Sequence, residues 1–217
     1  MEMENQTYPV NLRGELTMPP ARGWWLLKWL LGIPHYIILV FLWIAFVVVC
    51  IISFFAILFT GKHPKSLFDF KVGVLRWSWR VGFYSYEALG TDKYPPFSLQ
   101  PDPDYPADLD IPYTEQMSRG LVLIKWWLLA IPHYIIVGIL AGGWNVGWNC
   151  GVNNASAEGP GLIITLVIFA AVVLLFTGNY PKSLFKLVIG FNRWVYRVVA
   201  YASLMTDEYP PFRLWDD

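Results

Sequence analysis

The chain predicts an all-α integral membrane protein of two tandem repeats, each an apolar helical hairpin followed by an amphipathic interfacial helix, with short extended arms. Three observations point there. Residues 59–84 superpose on 176–201 without a gap and keep Thr-Gly, Pro-Lys-Ser-Leu-Phe, Gly, Arg-Trp and Arg-Val in place, which marks a duplicated unit. No formally charged residue stands between 29 and 61, a run of 33 positions, or about 50 Å if wholly helical. Of the 217 residues 56% are apolar and only 15% charged, a composition foreign to soluble domains.

The same composition excludes several classes of function. Sixteen basic residues balance sixteen acidic ones, so there is no net field to hold nucleic acid. Cys50 lies in an apolar run and Cys150 in a polar one, which rules out a disulfide framework. Twelve Trp, 12 Tyr and 14 Phe supply the rings that gather at membrane–water interfaces. The acidic start Met1-Glu2-Met3-Glu4 lacks the basic-then-apolar order of a cleaved leader, so the first apolar segment is expected to act as its own insertion signal.

Each element follows in order. Tyr8, Val10 and Leu12 alternate in a short extended arm, and Tyr105-Pro106-Ala107-Asp108-Leu109 opens the second repeat in the same way, so the two arms are candidates to pair. Pro34-His35-Tyr36 matches Pro132-His133-Tyr134 at an offset of 98, whereas Phe59-Thr60-Gly61 matches Phe176-Thr177-Gly178 at an offset of 117. The second repeat therefore carries 19 extra residues. They fall in the polar, glycine-rich stretch 142–161, which belongs outside the hydrocarbon because unpaired backbone groups there cost several kcal/mol. Mapped back near Ile44, the insertion predicts hairpins of 24–43 with 45–59 and of 121–141 with 162–176. The rival for the first repeat is one long tilted helix from Pro34, since 41–50 contains no turn former.

A third helix, opened by Pro64 or Pro181, follows each apolar block. Asp69, Gly73, Arg76, Arg80 and Glu87 share one stripe of it, repeated by Lys186, Gly190, Arg193 and Arg197. The cost of burying two arginines in lipid favours an interfacial position. Thr-Asp-x-Tyr-Pro-Pro-Phe, at 91–97 and 206–212, then forbids further helix. The organisation is a first repeat over 1–99, a stiff solvated Pro/Asp linker over 100–112, and a second repeat over 113–217. Arg22, Lys28, Lys62 and Lys65 flank the first apolar block and Arg119, Lys125, Lys182 and Lys186 the second, which predicts both termini on the cytoplasmic side.

Ile-Pro-His-Tyr, Phe-Thr-Gly-x-x-Pro-Lys-Ser-Leu-Phe, Arg-Trp-x-x-Arg-Val and Thr-Asp-x-Tyr-Pro-Pro-Phe, each present twice, together resemble a bacterial membrane family known as domain of unknown function 4389. The resemblance implies an integral protein of the bacterial inner membrane. It supplies no activity, substrate or catalytic residue.

Candidate sites come from the repeated residues. Lys65, Arg76, Arg80, Lys182, Arg193 and Arg197 offer cations to anionic lipid headgroups, the arginine pairs four apart and on one face. Internal ion pairs are the competing reading for the arginines, and snorkelling for the lysines. His35 and His133 are the candidate ligands for haem or chlorophyll, set against a plain interfacial role. His63 is replaced by Tyr180 in the second repeat and reads as interfacial. The linker aspartates lack the spacing of a calcium loop, so no metal site is expected. Trp144 and Trp148, with Asn145, Asn149 and Cys150, are candidate partner contacts in the insertion, or a cap on the membrane surface, and Asn154 opens a glycosylation sequon.

No phosphate loop, metal helix or nucleophile with its base is present, so no enzyme is expected. The function expected is a non-catalytic membrane scaffold or accessory subunit that contacts lipid and either other subunits or itself. A small transporter or channel between the repeats and a haem- or pigment-bearing subunit are the alternatives.

Overall fold

A computed structural model describes residues 8–16, 20–142, 144–148 and 155–215. Strand β1 (Asn11–Gly14) precedes a 36-residue helix α1 (Trp25–Thr60) and a second helix α2 (Lys65–Tyr84). Strand β2 (Ala107–Asp110) leads to α3 (Arg119–Ile124), a π-helical turn (Lys125–Leu129) and α4 (Ile131–Ala141). Strands β3 (Trp144–Trp148) and β4 (Ala155–Gly159) follow, then α5 (Leu162–Thr177) and α6 (Lys182–Ala202).

The predicted hairpin of 24–43 with 45–59 does not form. Between Pro34 and Gly61 no glycine or proline interrupts the run, so nothing offsets the cost of opening the backbone ladder, and α1 continues through Ile44 for about 54 Å. It stops at Gly61, whose φ of 74° is the left-handed cap that glycine adopts without penalty. Gly178 ends α5 in the same way, at φ 72°.

The second half is not a closed hairpin either. The Arg119 side chain lies against Gly61, and Arg22 lies against Gly178. The start of α3 is therefore at one end of α1 and the end of α5 at the other, which requires α3, α4 and α5 to run on antiparallel to α1. Gly161 accordingly abuts Leu140 and Ala141. Between α4 and α5 in the chain, β3 pairs antiparallel with β4, Trp144 opposite Gly159.

The molecule is layered. Trp77 and Trp79 stand on opposite sides of α2: the Trp77 indole N–H donates to His35 of α1, the Trp79 N–H to the Arg13 carbonyl of β1. Helices α2 and α6 thus form a middle layer between the long apolar helices and the β1–β2 sheet. Within this layer α2 is buried nearly all round from Val72 to Tyr84, whereas α6 keeps Arg193, Trp194 and Val195 only half-buried. The arms pair as read, antiparallel with Leu12 opposite Leu109. That pairing corrects the solvated linker: Tyr105, Ala107, Leu109 and Ile111 are core residues, alternating inward as a strand with one buried face does.

Candidate functional site

The closing segment of each half is a clamp on its own long helix. Lys28, fully buried, donates from Nζ to the Thr91 carbonyl at 2.7 Å and pairs with Asp92 at 2.8 Å. Asp92 also accepts from the Ala21 amide at 2.6 Å. Two helical turns on, His35 stacks on Phe97 with centroids 4.0 Å apart and touches Tyr94. The second half repeats every part. Lys125 meets the Thr206 carbonyl at 2.9 Å and Asp207 at 2.7 Å, Asp207 accepts from the Ser118 amide, and His133 stacks on Phe212. The motif Thr-Asp-x-Tyr-Pro-Pro-Phe is therefore more than a helix stop: its Thr-Asp end grips a lysine and its Tyr and Phe grip a histidine.

Both candidate cofactor histidines sit in this clamp. Trp77 and Trp194 each donate to the imidazole Nδ1 at 3.1 Å, which leaves the proton on Nε2 in the neutral ring. Both rings are fully buried. The Nε2 atoms of both rings are shielded from solvent and have no hydrogen-bond partner among the described residues. His63 is likewise buried rather than interfacial, edge-on to Phe68. Burial, then the nearby Lys71 and Lys125 cations, push it down to about 3.

The arginine stripe also points inward. Arg76 contacts Asp108 at 3.0 Å and donates to the Leu109 and Leu99 carbonyls. Arg80 meets the same Asp108 carboxylate at 3.1 Å and the Gln100 carbonyl at 2.9 Å. In the second half Arg193 reaches the carbonyls of Leu214 and Leu12, and Arg197 that of Arg213, with the Tyr8 ring 5.4 Å away. These guanidinium groups hold strands and tails, the internal pairing that competed with lipid headgroups in the sequence reading: a fork of donors inside protein is satisfied by carbonyls and carboxylates already there. Gly73 makes room, since a Cβ would come within 2.8 Å of Leu99. Lys65 and Lys182 differ, being exposed at the starts of α2 and α6, with Lys65 3.8 Å from Asp69.

A chamber of about 670 Å³ opens between α1, α2, the junction of α4 with α5, and α6. Leu39, Trp43, Leu75 and Ile163 line it with apolar side chains, and Glu87, Asn192 and Tyr196 are among its polar lining residues. Burial pushes the Glu87 carboxyl up to about 7, against a hydrogen bond from the Tyr196 hydroxyl. Its Oε2 is shielded from solvent and has no hydrogen-bond partner. The chamber lining includes no arginine and neither clamp histidine.

Residues 23–98 and 161–213 match the family model described as domain of unknown function 4389. The chain belongs to this family. The first match spans α1, α2 and the first clamp motif, and the second spans α5, α6 and the second clamp motif. The β3–β4 excursion lies outside both. Nothing among curated proteins or solved structures matches the chain.

Asp92, Asp207, Asp108 and the π turn carry the geometry of this family member and were not singled out from the sequence. A signal was present: Lys28 matches Lys125 at an offset of 97 and Pro34 matches Pro132 at 98, so one residue is inserted where the π turn forms. Of the candidates in the excursion, Trp144 and Trp148 lie on β3 with their side chains outside what is described, and Asn149, Cys150 and Asn154 lie outside the described residues.

Proposed function

We propose that this protein is a non-catalytic scaffold or accessory subunit of the bacterial cytoplasmic membrane, embedded from one side with α1 and the α3–α5 line in a single leaflet. One observation carries the reading. The buried residues of α1, namely Lys28, Gly32, His35, Leu39, Phe46, Ser53 and Ile57, make a narrow stripe, and large apolar side chains from Leu26 to Phe59 cover the rest of the helix in the open. Exposed apolar surface on that scale needs lipid or protein to cover it.

Embedding from one side is favoured over crossing. The β1–β2 layer sits over the middle of α2, and the Asp110 side chain there is 72% exposed. A crossing α1 would carry that carboxylate to mid-bilayer, at a cost of about 3 kcal/mol or more, whereas in-plane burial leaves the whole sheet in water. Lys62, Lys65, Lys182 and Lys186, exposed at the ends of the layer, would meet anionic headgroups, with the polar layer and both termini cytoplasmic.

Single cysteines at positions 65 and 182, in a chain carrying Cys50→Ala and Cys150→Ala, test the placement. Both should react with an impermeant reagent from the cytoplasmic side alone. Labelling from opposite sides would establish a crossing helix. A strictly monomeric particle in mild detergent, with no co-purifying subunit, would remove the scaffold role.

A further inference from the structure

The two halves agree in their clamps and differ at one buried place. The first half has Cys50 and Ser53 on α1, His63 in the turn that follows and Lys71 on α2, where the second half has Val167, Ala170, Tyr180 and Val188 at the matching offset of 117. All four of the latter are core residues. The fold therefore accepts an almost wholly apolar filling here, and the polar set belongs to the first half alone.

The polar set converges on one carbonyl. Lys71 Nζ donates to the Ser203 carbonyl at 2.7 Å, and Cys50 Sγ lies 3.9 Å from the same oxygen. His63 stands edge-on to Phe68, 5.3 Å between centroids and one helical turn from Lys71, and lies close enough to the Lys71 ammonium to feel its charge. Ser53 is one turn beyond Cys50 on the buried stripe of α1. The counterpart of Ser203 is Ala88, each preceding a left-handed leucine, Leu204 at φ 63° and Leu89 at φ 52°. The Ala88 carbonyl accepts from the Tyr180 hydroxyl at 3.0 Å. A neutral phenol thus does in one half what an ammonium does in the other, so satisfying the carbonyl does not call for a charge.

That charge has no answer among the described residues. Lys71 is fully buried, and the seven ion pairs leave it without a carboxylate, whereas its neighbour Lys125 has Asp207. An ammonium carries three hydrogens, of which Ser203 takes one. Both ring nitrogens of His63 and the Ser53 hydroxyl are also shielded from solvent and without a hydrogen-bond partner. Ser53 does not even bond to its own helix, as Thr60, Ser85 and Thr177 do to the carbonyl four residues back. The surplus is one of donors together with one positive charge. A buried water would take up hydrogens and leave the charge uncompensated, whereas a small anion answers both.

We propose that Lys71, His63 and Ser53 form an internal site for one small monovalent anion of the halide class, held by the ammonium, an imidazole N–H and the serine hydroxyl. The site lies inside the protein, so it holds whichever way α1 lies in the membrane.

Thermal unfolding of the full chain in nonionic detergent, prepared free of halide and with sodium gluconate exchanged stepwise for sodium bromide at constant ionic strength, tests the site. Bromide should raise the midpoint by about 3 °C or more along a saturable curve, and Lys71→Met should abolish the rise. The fourfold variant Cys50→Val, Ser53→Ala, His63→Tyr and Lys71→Val, which copies the second half, should unfold in gluconate no lower than wild type and be indifferent to bromide. Should Lys71→Met not fold, the fourfold variant carries the comparison. Crystals grown in bromide should show an anomalous peak beside Lys71 Nζ. No rise in wild type, an equal rise in either folded variant, or a water without anomalous signal at that place would each overturn the anion site.

Discussion

Lys125 and His133 stand eight positions apart and Lys28 and His35 seven, yet both pairs face the same kind of clamp. In an α-helix one extra residue turns everything beyond it by about 100°. The π turn over Lys125–Leu129 takes up that residue, as π bulges do when an insertion is tolerated for the sake of a site. The chain bends by 48° just beyond it.

Deleting Trp126 should therefore convert the π turn to ordinary helix and keep the clamp, leaving the thermal midpoint in detergent within a few degrees. Deleting Trp29 from α1 should do the opposite, because no bulge is available to remove and Lys28 would swing away from Asp92. A similar loss from the two deletions would refute a compensating role for the π turn.

Asp92→Ala strands a fully buried ammonium. Asp92 keeps a side chain one-third exposed, so the loss should fall at about 2–3 kcal/mol, below the roughly 3–5 expected for a wholly buried pair. Lys28→Met combined with Asp92→Leu should recover most of it, measured by denaturant unfolding in micelles.

Asp108 serves Arg76 and Arg80 at once. Asp108→Ala should loosen β2 from α2, seen as faster hydrogen exchange at Leu12 and Leu109 relative to α2, with an overall loss on the order of 2–3 kcal/mol. Unchanged protection of the sheet would show that the carbonyl contacts alone hold it.

Glu87 makes stability depend on pH. Its folded value is raised from 4.5 to about 7, so the native chain holds a proton that the unfolded chain releases. The stabilisation is full below about 4.5 and lost as pH rises through about 7. His63, lowered to about 3, acts in the opposite sense below 6.5, and Lys71, lowered to about 8 by burial, acts only above that pH. The difference between wild type and Glu87→Gln isolates the carboxyl. Relative to wild type, the variant should gain up to about 3 kcal/mol between pH 5 and pH 8. A constant difference would mean that the carboxyl is solvated.

What could be read from the chain alone was whatever local chemistry and repetition impose. The uncharged run of 33 residues had to become apolar helix, glycine and proline had to end it at Gly61 and Pro64, and the repeated arms could be read as strands from their alternation. The destinations of Arg76, Asp92, His35 and Asp108 were not legible, because each partner lies tens of residues away and a lone sequence carries no distance. Tertiary structure decided that α1 runs on through Ile44, that the arginines turn toward strands and that Glu87 Oε2 is shielded from solvent without a hydrogen-bond partner. In each case the deciding quantity was the desolvation of a polar group, which depends on what packs around it rather than on its neighbours in the chain.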